Sequence, residues 1–136
     1  MRIAALAVWC TTAAAGIYLL MTWLSQGGLR QQATRITTFP TVLVFAHPLL
    51  AVAGLCCWIA YLESSDTSLA WTSFWCLCAS ALLGFVMFTR WLAGRGGRHA
   101  RGAEQRFPVT AVALHGTVGL TTFILVLIVA NLASHH

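Results

Sequence analysis

Four long apolar runs, at roughly 3–24, 41–62, 69–93 and 109–133, leave this chain very few possible folds. Each reaches the ~20 residues that a helix needs to cross a bilayer. Hydrocarbon offers no partner to backbone N–H and C=O groups, so only helices and closed barrels span it. None of the runs alternates polar with apolar residues as a barrel strand would. The fold class expected is therefore all-α, a four-helix transmembrane bundle forming one integral membrane domain over 1–136. Composition agrees, with 59% hydrophobic and 8% charged residues, where a soluble domain carries about 25% charged. The first run has some marks of a secretory signal, namely Arg2, an apolar stretch and Ala13-Ala14-Ala15. Its hydrophobicity continues to Leu24, beyond an h-region of about 7–15 residues, and Trp9 before Cys10 does not suit a lipobox. It is read as a helix.

The charges set an expected orientation. All 8 basic residues are arginine, against 3 acidic ones. Arg30 and Arg35 lie in the first polar connection, and Arg95, Arg98, Arg101 and Arg106 in the Gly/Arg segment after the third run. In a four-pass chain these two connections share one side, and the positive-inside rule makes that side cytoplasmic. The termini and the acidic turn Glu63-Ser64-Ser65-Asp66 then face out, with Arg2 against the trend. Trp23, Trp91, Phe39 and Phe107 fall at the cytoplasmic boundary, as an aromatic belt would. The arginines flank apolar runs, so the lipid bilayer explains the net charge of +5 and nucleic acid does not. A lysine-free, alanine-rich chain suggests a GC-rich bacterial genome and hence the bacterial inner membrane.

The second organising feature is a phrase that occurs twice. Phe39-Pro40-Thr-Val-Leu-Val-Phe-Ala-His47 returns as Phe107-Pro108-Val-Thr-Ala-Val-Ala-Leu-His115, an offset of 68 in a chain of 136. An ungapped alignment at that offset gives eleven identities, among them Cys10/Cys78, Ala13/Ala81, Gly16/Gly84, Trp23/Trp91, Arg30/Arg98, Phe39/Phe107, Pro40/Pro108 and His47/His115. The expectation is a duplication of a two-helix hairpin, repeat 1 over 1–68 and repeat 2 over 69–136. An even number of helices per repeat makes the repeats parallel, with their two-fold axis along the membrane normal. Each proline suits a helix start, where its missing N–H costs nothing. Each histidine then lies roughly 10 Å inside the boundary, at 1.5 Å of rise per residue.

Small residues accompany both histidines. Ala51 and Gly54 follow His47 at helical spacing, and Gly119 and Thr122 follow His115. Gly16 and Gly84 are expected near the histidine level on the other two helices. Pro48 and Gly116 directly follow the histidines and weaken the local helix. An ionisable group inside a membrane is a functional hypothesis by default. Two imidazoles on opposite helices can ligate one b-type haem iron from both faces. Its flat apolar ring would need small neighbours such as Gly16, Gly84, Ala51 and Gly119. Its propionates would need cations, which Arg30, Arg98, Arg35 or Arg106 can supply. The competing reading is that each histidine only hydrogen-bonds a neighbouring helix, within an accessory or scaffold subunit of a membrane complex. The remaining histidines, His99 and His135-His136, sit in a loop and a tail and are read as solvated.

This layout, a histidine in each of two helices of a small bundle, resembles four-helix b-type membrane cytochromes such as cytochrome b561-like proteins and the haem-binding anchors of respiratory dehydrogenases. That resemblance implies electron transfer with quinone or a redox partner. Ala46-His47-Pro48 and Glu104-x-x-Phe107-Pro108…His115-Gly116 also resemble a group of small, uncharacterised four-pass membrane proteins of actinobacteria, which brings no activity with it.

Cys10, Cys56, Cys57, Cys76 and Cys78 all fall in the half of the spans away from the histidines. Packing, a disulfide and a soft-metal site are each open for them, and the last would suit a small transporter or metal-handling protein. No Asp or Glu lies inside the expected spans, which disfavours ion-coupled transport. Serine and threonine inside the spans are expected to bond their own backbones, and Glu104 to pair with a nearby arginine. There is no phosphate-binding loop, no HExxH and no nucleophile with a partnered base. An electron carrier or accessory protein is expected rather than a self-contained enzyme. The repeats can meet within one chain or across a homodimer.

Overall fold

The structure is a computed structural model, and it describes residues 1–95 and 100–135. It is a bundle of helices. Four are long and apolar enough to cross a membrane: α1 (Arg2–Ser25), α3 (Thr41–Ser64), α4 (Thr67–Ala93) and α5 (Val109–Ala133). Among the described residues there is no strand. The helices match the expected spans closely, and α3 reaches far enough to include Glu63 in its last turn. Pro40 and Pro108 sit one residue earlier than expected, as the N-caps of α3 and α5. Two short elements lie where the sequence shows only polar connection: α2 (Gly28–Thr34) and a 3-10 turn at Ala103–Arg106.

The surface is strongly apolar, as suits a bundle whose solvent is lipid. Val42, Leu49, Trp75, Leu82, Phe85 and Leu120 all point outward. In such a solvent apolar burial does not drive helices together; tight packing and interhelical hydrogen bonds do. Helix α3 packs chiefly on α4, and α1 on α5, while α1 also meets α3 and α4 meets α5. Thus α3 and α5 stand diagonally across the bundle, as do α1 and α4.

Two aromatic layers close the ends. At the α3–α4 turn end, Trp9, Trp58, Tyr61, Phe74 and Val126 form one cluster. The turn itself is tight: Ser65 adopts a left-handed φ of 56°, and Asp66 caps α4 by accepting from the Ser68 amide at 2.9 Å and hydroxyl at 2.7 Å. At the connection end, Trp23, Phe39, Val44, Trp91 and Ala103 form the second cluster. This corrects the expected aromatic belt. Trp23, Phe39 and Trp91 are buried, because α2 and the 3-10 turn fold over them. Gly28 lies so close to the Trp23 indole that there is no room for a Cβ between them. The histidines occupy the layer between these two clusters.

Serine and threonine divide into two groups. Thr11, Thr72, Thr117 and Thr121 bond their own helix as expected. Others also reach across helices: the Ser73 hydroxyl donates to the Gly54 carbonyl at 2.8 Å, and Thr12 and Thr122, each also bonded to its own helix through the Val8 and Val118 carbonyls, share a hydroxyl contact of 2.9 Å. In a bundle of membrane-spanning helices, such hydroxyls act as links between neighbouring helices.

Candidate functional site

His47 on α3 and His115 on α5 face each other across the bundle axis within one chain. Their ring centres are 6.1 Å apart and the planes cross at 75°. Each ring is half-buried and held by the same device. His47 donates its Nδ1–H to the Ser80 carbonyl on α4 at 2.8 Å. His115 donates its Nδ1–H to the Thr12 carbonyl on α1 at 3.0 Å. A carbonyl can only accept, so the proton belongs on Nδ1. In the neutral ring this leaves Nε2 with a bare lone pair. No protein partner of either Nε2 is present among the described residues.

The local sequence explains why those carbonyls can be reached. In a helix the carbonyl of residue i lies beneath the side chain of i+4. Four residues after Thr12 comes Gly16, and four after Ser80 comes Gly84. With no side chain there, an imidazole can lie in the notch. A Cβ on Gly16 would stand 3.0 Å from His115 Cε1, and one on Gly84 would stand 2.9 Å from His47 Cε1. The two glycines therefore make room for the histidines themselves. Gly119 packs near Thr12, whose Cγ2 would lie 3.5 Å from a Cβ added there, and Ala51 is half-buried one turn below His47.

Thr12 and Ser80 are the residues that sequence reasoning missed. They correspond at the offset of 68, but one is Thr and the other Ser, so a count of identities passes over them. The small-x-x-x-small spacing, Thr12 to Gly16 and Ser80 to Gly84, was the available signal. Ser80 does more than Thr12. Its hydroxyl donates to the His47 carbonyl at 2.9 Å, so His47 and Ser80 exchange a reciprocal pair of bonds.

A polar knot lies one layer outward. Glu104 is fully buried. Its carboxylate accepts from the Thr37 hydroxyl at 2.6 Å, the Thr38 amide at 2.7 Å and the Thr38 hydroxyl at 2.8 Å. The expected ion pair is not formed among the described residues. Gln31 accepts from the Ala103 amide, Gln32 donates to the Phe39 carbonyl, and Gln105 donates to the Trp91 carbonyl. The two connections are thereby tied to each other and to the ends of α3 and α4.

Of the other expected site residues, Arg30 is exposed on α2, at the same end as the knot. Arg98 and His99, like His136, lie outside the described residues. The five cysteines are free thiols, and among the described residues no three His, Cys, Asp or Glu come together as a metal-binding group. No protein-family model, curated protein or solved structure matches the chain.

Proposed function

We propose that the protein is a multi-pass membrane protein that holds one b-type haem between His47 and His115 and serves as an electron-transfer module. One observation carries the reading. Both imidazoles commit Nδ1–H to a backbone carbonyl, the outer-shell bond that orients a histidine to ligate through Nε2. The spacing agrees. Two metal–nitrogen bonds of about 2 Å and two ring radii of about 1 Å put the ring centres of a bis-imidazole site about 6 Å apart, and His47 and His115 stand at 6.1 Å. When bound, the iron would supply one-electron redox chemistry. The chain's part is to fix both rings, keep carboxylates away from them and offer cations to the propionates. Arg30 and its sequence counterpart Arg98 are suited to the last role. The partner would be quinone or another membrane redox protein.

The same pairs of residues support a finer view of the architecture. His47 with Ser80 and His115 with Thr12 are related by the offset of 68, as are Gly84 with Gly16. We read the bundle as two parallel copies of a two-helix hairpin about an axis between the histidines. The arginine-bearing connections would face the cytoplasm of a bacterial cell, with both termini outside.

The test is the absorbance spectrum of detergent-purified protein from haem-replete cells. A Soret band with a reduced-minus-oxidised α-band is expected, lost in His47→Ala and in His115→Ala while each variant still elutes as a folded monodisperse species. A colourless wild-type protein overturns the proposal. The second reading, an accessory subunit in which the histidines are interhelical clamps, is favoured by the bonds to Ser80 and Thr12 themselves. It expects a colourless wild type and a loss of roughly 0.6–2 kcal/mol on removing either imidazole.

A further inference from the structure

A cleft of about 330 Å³ opens at the connection end, lined by Gln32, Arg35, Thr37, Thr38, Pro40 and Arg90. Arg35 and Arg90 both line it, and among the described residues neither forms an ion pair with a carboxylate. Arg90, in the last turn of α4, uses Nη1 to donate to the Thr38 carbonyl at 2.9 Å. The Arg35 side chain makes no bond to any described residue. The nearest acidic residue by position is Glu104, and Thr37 and Thr38 already occupy its oxygens. The other two, Glu63 and Asp66, belong to the α3–α4 turn at the opposite end of the bundle.

The remaining lining groups are also accounted for. The Thr37 and Thr38 hydroxyls donate to Glu104, and the Gln32 amide donates to the Phe39 carbonyl. What the cleft still offers is N–H donors on two cations. Arg35 is presented from a left-handed backbone, φ 53° and ψ 30°, at the end of α2. A non-glycine residue holds that conformation only at some cost. Two arginines lining one concavity suit the oxygens of a phosphate ester, which guanidinium forks can grip in bidentate fashion.

We propose that Arg35 and Arg90 form a binding site for an anionic phosphate ester, and that its natural occupant is a phospholipid headgroup. The choice of a lipid rests on what surrounds the cleft. Val42, two residues into α3, is exposed, and so is Val86, one turn before Arg90 on the same face of α4. The site therefore lies where the apolar spans end, with uncovered hydrocarbon-facing side chains beside the cations. A headgroup seated in the cleft leaves its acyl chains along those residues. A soluble phosphate ester would use the cations alone.

Native mass spectrometry of the full chain, offered equal amounts of phosphatidylglycerol and phosphatidylcholine, tests this. Wild type retains phosphatidylglycerol preferentially. Each arginine near an anionic headgroup is worth about fivefold in partitioning, so Arg35→Gln/Arg90→Gln removes most of that preference. Arg101→Gln/Arg106→Gln, which deletes the same charge elsewhere at that end, keeps it. Arg35→Gln alone breaks no contact within the described fold and lowers the preference by about fivefold, which separates ligand loss from misfolding. A second arm measures melting in inorganic phosphate against chloride at constant ionic strength. Stabilisation by phosphate that needs Arg35 and Arg90, without a lipid preference, assigns the same site to a soluble phosphate ester. Equal retention of both lipids with no phosphate effect overturns the proposal. So does an equal loss of preference in both double variants, which would reduce the effect to net charge.

Discussion

His47 and Ser80 are bonded in both directions: the imidazole Nδ1–H donates to the Ser80 carbonyl at 2.8 Å, with the Ser80 hydroxyl oxygen a second contact of Nδ1 at 3.1 Å, and the Ser80 hydroxyl donates to the His47 carbonyl at 2.9 Å. The two bonds respond differently to mutation. Ser80→Ala removes the hydroxyl with its bond to the His47 carbonyl and its longer contact with Nδ1, and leaves the closer carbonyl that orients the ring. A neutral hydrogen bond contributes about 0.5–1.5 kcal/mol net, so chemical denaturation in mild detergent should show a loss in that range. The orientation of Nε2 should survive, and with it any haem spectrum. If Ser80→Ala bleached the protein as fully as His47→Ala does, the backbone carbonyl would not be what positions the ring.

The glycine notches make a sharper test of the histidine layer. Gly84→Ala puts a methyl group 2.9 Å from His47 Cε1, and Gly16→Ala puts one 3.0 Å from His115 Cε1. Either ring must move or its helix must back away. Overpacking of this kind typically costs about 1–3 kcal/mol. By contrast, Gly116→Ala meets nothing within 4 Å, and alanine suits a helix interior better than glycine by about 1 kcal/mol. The three variants should therefore rank with Gly116→Ala at or above wild type in melting temperature and the other two below it. An equal loss in all three would show that the imidazoles do not occupy the notches.

Acid should weaken the α3–α4 turn through Asp66. The Ser68 hydroxyl, and then its amide, hold the Asp66 carboxyl below its ordinary value. A carboxylate whose pKa is depressed by folding lends stability above its unfolded pKa and loses it as pH falls through the folded value. The melting difference between wild type and Asp66→Asn should thus be constant near neutrality and shrink as pH drops below about 3.9. Its size will be small because the group is solvated. A difference that grew toward low pH would contradict the capping geometry.

How far this arrangement could be read from the chain depends on the solvent each part faces. The four spans were legible to within a few residues because lipid tolerates little but uncharged helix, and Pro40 and Pro108 mark two of their starts. The histidine layer was legible because an imidazole in an apolar run, twice at one offset, is hard to place elsewhere. Its partners were not, since Thr12 and Ser80 contribute backbone carbonyls, which any residue type can supply. The outer layer misled for a different reason. Trp23 and Phe39 at a boundary look like lipid-facing anchors until α2 covers them, and α2 is a seven-residue helix too short to stand out by periodicity. Nor does the sequence mark Thr37 and Thr38, more than sixty residues away, as the groups that satisfy Glu104.

Glu104 gives the strongest expectation about stability. Its carboxylate is fully buried, with three donors from one strand of connection and no cation among the described residues. An ionised acceptor suits three donors; an amide does not. Glu104→Gln turns one oxygen into an NH₂ group facing either the Thr37 hydroxyl or the Thr38 pair. A hydroxyl can rotate to accept, but the Thr38 amide cannot. Glutamine should therefore settle with its oxygen toward Thr38 and its NH₂ toward Thr37, losing charge-assisted bonds worth about 1.5–3 kcal/mol in their original form. Glu104→Ala should cost more, because it takes the acceptor away from the half-buried Thr38 amide and from both threonine hydroxyls. The order wild type, Gln, Ala in thermal melting is the expected result. Limited proteolysis should report the same order, with cleavage starting in the connection between α2 and α3. If Glu104→Ala melted like wild type, the buried carboxylate would not be what ties the two connections together.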